Sequence, residues 1–210
     1  MSETFVTLVP PLFDTFGTPA TIETAITEGL WIATANLWVV QTKPTPAIVY
    51  QQRSLSRKWA PGKLDVLVGG KIDAGEKPVD ALLREAKEEM NLTIDESSIH
   101  FIGKNLHVGI IGDAYLHTVP HIFLSTDNRD LKDYKLQKEE VAGIFSLPIN
   151  VLVDLHNKKI DSFETKGLDA EGNGINLIVT RESFPENWDN YHHKIAVLIQ
   201  RYLKGEQVLY

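Results

Sequence analysis

The chain has no cysteine among its 210 residues. Disulfide bridges, thiolate-bound zinc and a cysteine nucleophile are excluded together. No apolar run approaches the roughly 18 residues that a membrane-spanning helix needs, so no membrane segment is expected. Runs of Lys or Arg are missing too, and the formal net charge is −7. Such a surface repels nucleic-acid backbones, so no nucleic-acid partner is expected. The opening MSETFVTLVPPLFD carries Glu3 and has no basic stretch. It does not read as a secretory signal, and a cytoplasmic location is expected. Internal repeats and low-complexity tracts are also absent.

What is present is enough apolar residue, 43% of the chain, for one large core. Strands are expected over 30–40, 47–52, 99–111, 116–125 and 141–146, with 30–40 and 47–52 forming a hairpin. A second hairpin is expected from 163–168 and 175–180. Helices are expected over 19–28, with Thr18 as cap and Gly29 as stop, over 78–90, after 148 to about 155, and over 191–204. Strands and helices interleave, so the class is α/β or α+β around a mixed sheet. Residues 30–155 read as the core of one domain, 1–29 as an extension packed on it, and 156–210 as a terminal hairpin and helix of the same domain.

The helix over 78–90 carries the chemistry. Pro78 suits its first turn, and Asn91 sits where a left-handed cap would end it. Val79, Leu82, Leu83, Ala86 and Met90 form an apolar stripe. Glu85, Glu88 and Glu89 lie at i, i+3 and i+4 on the flank of that stripe, facing a cleft. Like charges at this spacing destabilise a bare helix by roughly 0.2–0.5 kcal/mol per pair. A divalent cation reverses the sign. Oxygen-only ligands favour Mg²⁺, with Mn²⁺ as substitute, over zinc. Such ions neutralise diphosphate oxygens and acidify a bound water.

Around that helix, GKIDAGEKPVDALLREAKEEMNL resembles the Nudix box, G-x5-E-x7-R-E-U-x-E-E-x-G-U with U bulky or aliphatic. Gly70 matches the first glycine, Glu76 the first glutamate, Arg84-Glu85 the RE pair, Glu88-Glu89 the EE pair and Leu92 the last U. Asn91 replaces the second glycine and is the next-best left-handed cap. A weaker likeness over about 30–155 is to the branch that contains isopentenyl-diphosphate isomerase. The resemblance implies an α/β/α sandwich with a mixed sheet and a loop-helix-loop motif. It implies Mg²⁺-dependent hydrolysis of a nucleoside diphosphate derivative or a related X-linked diphosphate.

Carried over by position, Glu85, Glu88 and Glu89 are the implied metal ligands, joined by the Gly70 carbonyl. Glu76 and Arg84 are implied to orient them. Glu140 is implied as a further ligand or the base, with Glu139 competing. Of the basic loop residues Arg53, Arg57 and Lys58, the first and last are implied to contact diphosphate. Lys71 could touch phosphate or face water. The alternatives are a catalytically weak ligand-sensing module and an isomerase. The intact EE pair argues against the first. The missing cysteine and Lys71, where that branch has histidine, argue against the second.

Other residues read as structural. His117 and His121 share a strand face and are expected to pack or to line a substrate pocket. His192 and His193 are expected at a surface or interface, and Trp31, Trp38, Trp59 and Trp188 in packing. The N-terminal segment and the 163–180 hairpin are expected to build a homodimer interface or to cover the pocket.

Overall fold

β-branched and aromatic residues over 31–41 and 47–53 produce the two strands on which everything else is assembled. The computed structural model describes residues 3–206 apart from 11, 14, 112, 187 and 188; Trp188 therefore lies outside the described residues. In chain order the elements are β1 (Thr7–Val9), β2 (Thr15–Phe16), α1 (Ile22–Glu28), β3 (Trp31–Gln41), β4 (Ala47–Arg53), β5 (Leu64–Val66), β6 (Val68–Lys71) and α2 (Pro78–Met90). Then come β7 (His100–Lys104), β8 (His107–Ile111), β9 (Ala114–Thr126), β10 (Val141–Pro148), α3 (Ile149–His156), β11 (Ser162–Asp169), β12 (Gly174–Thr180) and α4 (Tyr191–Tyr202).

All the strands join one sheet, ordered β12-β11-β10-β4-β3-β1-β2 along its main path. β9 lies parallel to β3, with Ala35 opposite His121. β7 and β8 pair antiparallel to β9. The sheet is thus mixed, and its two faces bury separate cores. On one face α2 sets Leu82, Ala86 and Met90 against Leu37, Val39 and Val68. On the other, α3 and α4 set Leu152, Leu155 and Ile195 against Trp38, Tyr50 and Phe145. Each fully buried large side chain contributes about 1.5–3 kcal/mol. The layers are α/β/α, as the resemblance implied. No helix among the described residues is long and apolar enough to cross a membrane.

One local feature places the motif. β5 pairs with β4 and β6 pairs with β3, with only Leu67 between them. The chain crosses there from one strand partner to the next, and the crossing brings Gly69 and Gly70 beneath α2. That helix begins on Pro78, and Asn91 caps it at φ 48°, where the Leu92 N–H reaches the Ala86 carbonyl at 2.9 Å. Asparagine fills the left-handed role that glycine has in the motif.

Several boundaries differ from expectation. α1 starts at Ile22 and is capped by the Thr21 hydroxyl, while the Thr18 carbonyl accepts from Thr7 Oγ1. The strand expected over 99–111 is two strands, interrupted at Asn105, whose N–H bonds to Pro120 O. The stripe on α2 is also shifted: Ala81 and Glu89 are buried, whereas Val79 and Leu83 are only half-buried. His192, expected at a surface or interface, is 3% exposed in the core among Trp38, Tyr50 and Phe184. α4 lies on a sheet face, and its burial follows from that packing.

Candidate active site

Arg84 is the hub. Its Nε and Nη2 donate to the two Glu76 oxygens, each at 3.0 Å. Nη1 donates to Glu85 Oε1 at 2.9 Å and to Glu88 Oε2 at 3.4 Å, and Nη2 also reaches the Lys71 carbonyl at 3.1 Å. The planar fork suits this set, because a lysine would satisfy only part of it. Burial works against the Glu76 carboxylate, but the Arg84 hydrogen bonds, the Asp73 N–H and the Arg84 charge together outweigh it and hold its pKa below the usual value. Glu76 also accepts from the Asp73 N–H at 3.1 Å, which closes the loop ahead of the helix.

The three motif carboxylates are graded in depth. Glu88 stands at the rim, its side chain 55% exposed, whereas Glu85 is 16% exposed. Glu89 is buried, and Gly69 N–H donates to its Oε2 at 3.4 Å. Burial pushes the Glu85 pKa up, Arg84 opposes the shift, and Glu88 and Glu140 add to it. The Glu89 pKa is pushed well up, first by burial and then by Glu85 and Glu140.

Glu140 reaches the site through the end of α2. Helix C-terminal carbonyls need outside donors, and here the Met90 and Glu89 carbonyls accept from Lys135 N–H (3.1 Å) and Gln137 N–H (2.9 Å). The turn that follows carries Glu140, whose carboxyl adds to the upward shift of the Glu89 pKa. Glu139 next to it is exposed, and its carbonyl serves Ser56 Oγ at 3.0 Å.

Gly70 leaves no room for a side chain. A Cβ there would overlap the Glu85 carboxylate. The bare backbone is what lets Glu85 lie against β6.

The basic loop is divided in its allegiance. Arg53 lies over the Trp59 ring, donates from Nε to Trp59 O at 3.1 Å and pairs with Asp65 at 3.5 Å. Lys58 is exposed. Arg57 pairs with Glu140, Nη1 to Oε1 at 2.7 Å. That contact spans 83 residues and left no signal in the sequence. The Lys71 ammonium lies over the Phe5 ring, 5.2 Å from its centre. Trp38 is core; Trp31 and Trp59 are half-buried against His117 and His107. His121 is buried in the sheet, where burial and then Lys104 lower its pKa.

Among the described residues, no three His, Cys, Asp or Glu are drawn into a metal-holding group. The donor set nevertheless has the chemistry a hard divalent cation takes: it is oxygen only, burial raises the pKa of both Glu85 and Glu89, and the Glu85 and Glu140 charges add to the shift on Glu89.

Comparison with known proteins agrees with this geometry. The NUDIX domain profile matches residues 32–166, more than half of the chain. An uncharacterised Nudix hydrolase of Clostridium acetobutylicum is 27% identical over 181 residues, which are 83% of this chain and 87% of the relative. A crystallised protein of Deinococcus radiodurans superposes with a TM-score of 0.51 at 20% identity, over 70% of this chain and 85% of its own. A MutT/nudix family protein of Enterococcus faecalis superposes at 0.53 and 14% identity, over 85% of this chain and 64% of its own. With its glycine-backed carboxylate helix on a mixed sheet, this chain belongs to the Nudix family and is a hydrolase acting on diphosphate bonds.

Proposed function

We propose that the chain is a Mg²⁺-dependent pyrophosphohydrolase, with Mn²⁺ as substitute, acting on a nucleoside diphosphate derivative or another X-linked diphosphate. The observation that carries this reading is the Glu85 carboxylate against the Gly70 backbone with Glu89 on the neighbouring Gly69 N–H, both carboxyls raised by burial and by the charge of Glu140.

Glu85, Glu88, Glu89 and the Gly70 carbonyl hold the cation in this reading, with Glu140 completing the set. The cation supplies neutralisation of the diphosphate oxygens and acidification of the attacking water. The protein supplies the rest. Arg84, fixed by Glu76, sets the direction of Glu85 and Glu88. Glu89 or Glu140 accepts the proton of the water as it attacks phosphorus. Exposed Lys58 meets the outer phosphate oxygens, and Arg53 supports its loop from beneath. The P–O bond to the leaving phosphate breaks as the new one forms, and two phosphorylated products depart.

Residues 1–29 and 156–210 belong to the same domain as the 30–155 core. A cytoplasmic homodimer goes with the reading; exposed Phe16 on β2 and Ile178 on β12 supply apolar surface for the contact.

The test is a panel of diphosphate compounds incubated with the protein and Mg²⁺, reading phosphate released by a coupled phosphatase. Turnover that needs the cation supports the reading. No turnover of any compound, with Mg²⁺ or Mn²⁺, overturns it.

A further inference from the structure

We propose that Arg57 is a positioning residue that holds the Glu140 carboxyl at the carboxylate cluster. The inference rests on the reading of that cluster as the hydrolytic site.

Glu140 is on a turn that stands against two other acids, and their repulsion drives it towards solvent. Its turn is tied to the end of α2 by Gln137 N–H on Glu89 O at 2.9 Å, and its charge is felt at both Glu89 and Glu85. The opposing cation is Arg57, at 2.7 Å. Both side chains are about two-thirds covered.

Arg57 is itself held from behind. Ser54 N–H donates to the Glu140 carbonyl at 2.7 Å, Ser56 Oγ donates to the Glu139 carbonyl at 3.0 Å, and Arg57 N–H returns to Ser54 O at 3.2 Å. Further along, Gly62 N–H bonds to Arg53 O at 3.1 Å, and Arg53 Nε holds Trp59 O. The loop between β4 and β5 and the turn before β10 are therefore stitched together by main chain, with the Arg57–Glu140 pair at the cluster end. A surface ion pair contributes little by itself. Here the pair sits on a preformed frame, so its effect is on where a carboxylate points.

Coulomb's law and positioning predict opposite signs, which makes the inference testable. Removing a cation from beside the cluster should tighten divalent-ion binding if charge alone matters. Removing a positioning group should weaken it.

The experiment titrates the full chain with Mn²⁺ by electron paramagnetic resonance for wild type, Arg57→Ala, Arg57→Lys, Glu140→Gln and the double variant Arg57→Ala/Glu140→Gln. Expected is a loss of Mn²⁺ affinity of about 10- to 100-fold in Arg57→Ala. A similar loss is expected in Glu140→Gln, with no further loss in the double variant and partial recovery in Arg57→Lys. Tighter binding in Arg57→Ala, or additive losses, overturns the inference.

Amide hydrogen exchange over 54–63 and 137–141, without metal, gives a second readout. Both single variants should speed exchange in both segments equally, and the double variant no more. Unchanged exchange in Arg57→Ala also overturns the inference, including in a chain that binds no Mn²⁺. Absence of diphosphate turnover with these results intact would remove the hydrolytic reading and leave the positioning role standing.

Discussion

The Gly70 backbone lies directly against the Glu85 carboxylate, so a methyl group on Gly70 and that carboxylate cannot occupy their present places together. Gly70 is not among the positive-φ glycines, so a Gly70→Ala chain meets a steric conflict without backbone strain. The obstacle is the end of a flexible side chain, which can swing away. Gly70→Ala should fold with a stability loss of about 1–3 kcal/mol. Its kcat should fall by about 100-fold if Glu85 holds the cation. Thermal unfolding and steady-state turnover measure the two effects; wild-type turnover would remove Glu85 from the site.

Glu89→Gln separates chemistry from folding. The amide oxygen can still accept from Gly69 N–H, while one of the mutually repelling charges is gone. Turnover is expected to drop by about 10²–10⁴-fold. Without metal, the midpoint of thermal unfolding should stay level or rise. A lowered midpoint would show that the Glu89 charge has a stabilising partner.

Arg84→Lys should behave almost as badly as Arg84→Ala. One ammonium cannot serve Glu76, Glu85, Glu88 and the Lys71 carbonyl together. Arg84 is partly exposed, so a stability loss of about 1–3 kcal/mol is expected, together with a large loss of kcat. Full rescue by lysine would mean that only the charge matters.

Acid should loosen the face covered by α3 and α4. Burial lowers the His156 pKa to about 4, helped by His193 and Arg181. Burial likewise lowers the His192 pKa to about 3, helped by His156 and His107. In both, the unfolded chain binds the proton first. Stability is fully present above about pH 6.5 and is lost as pH falls towards 4, by up to about 1.4 kcal/mol per pH unit for each proton. Urea unfolding at pH 7.5, 6, 5 and 4 measures this, and His192→Phe should flatten the slope.

The carboxylate cluster has the opposite sign. Glu85 and Glu89 are raised in the folded chain, so a penalty accumulates as pH rises above the ordinary glutamate range. A bound divalent cation cancels that penalty. Mg²⁺ should therefore raise the unfolding midpoint more at pH 8 than at pH 5. Equal shifts at the two pH values would count against these glutamates as its ligands.

Local chemistry was legible in the chain. Pro78 and Asn91 mark both ends of α2, because proline suits a first turn and asparagine tolerates φ 48°. The β3–β4 hairpin follows from runs rich in Trp, Ile and Val around a Pro-containing connector, and β11–β12 from alternating residues around a Gly-rich turn. Gly29 stopping α1 belongs to the same class. His192 was misplaced because its burial depends on where α4 lands, and nothing in YHHK states that.

Sequence alone determined the family, the carboxylate spacing and the helix that carries it, because each depends on residues a few positions apart. Tertiary structure decided which carboxylates go deep, that Glu140 rather than Glu139 turns towards Glu89, and that Arg57 rather than Lys58 meets Glu140. Those contacts are made by the docking of a turn onto the end of a helix and of a loop onto that turn. Such docking depends on shape and main-chain hydrogen bonds between distant segments, which residue spacing does not encode.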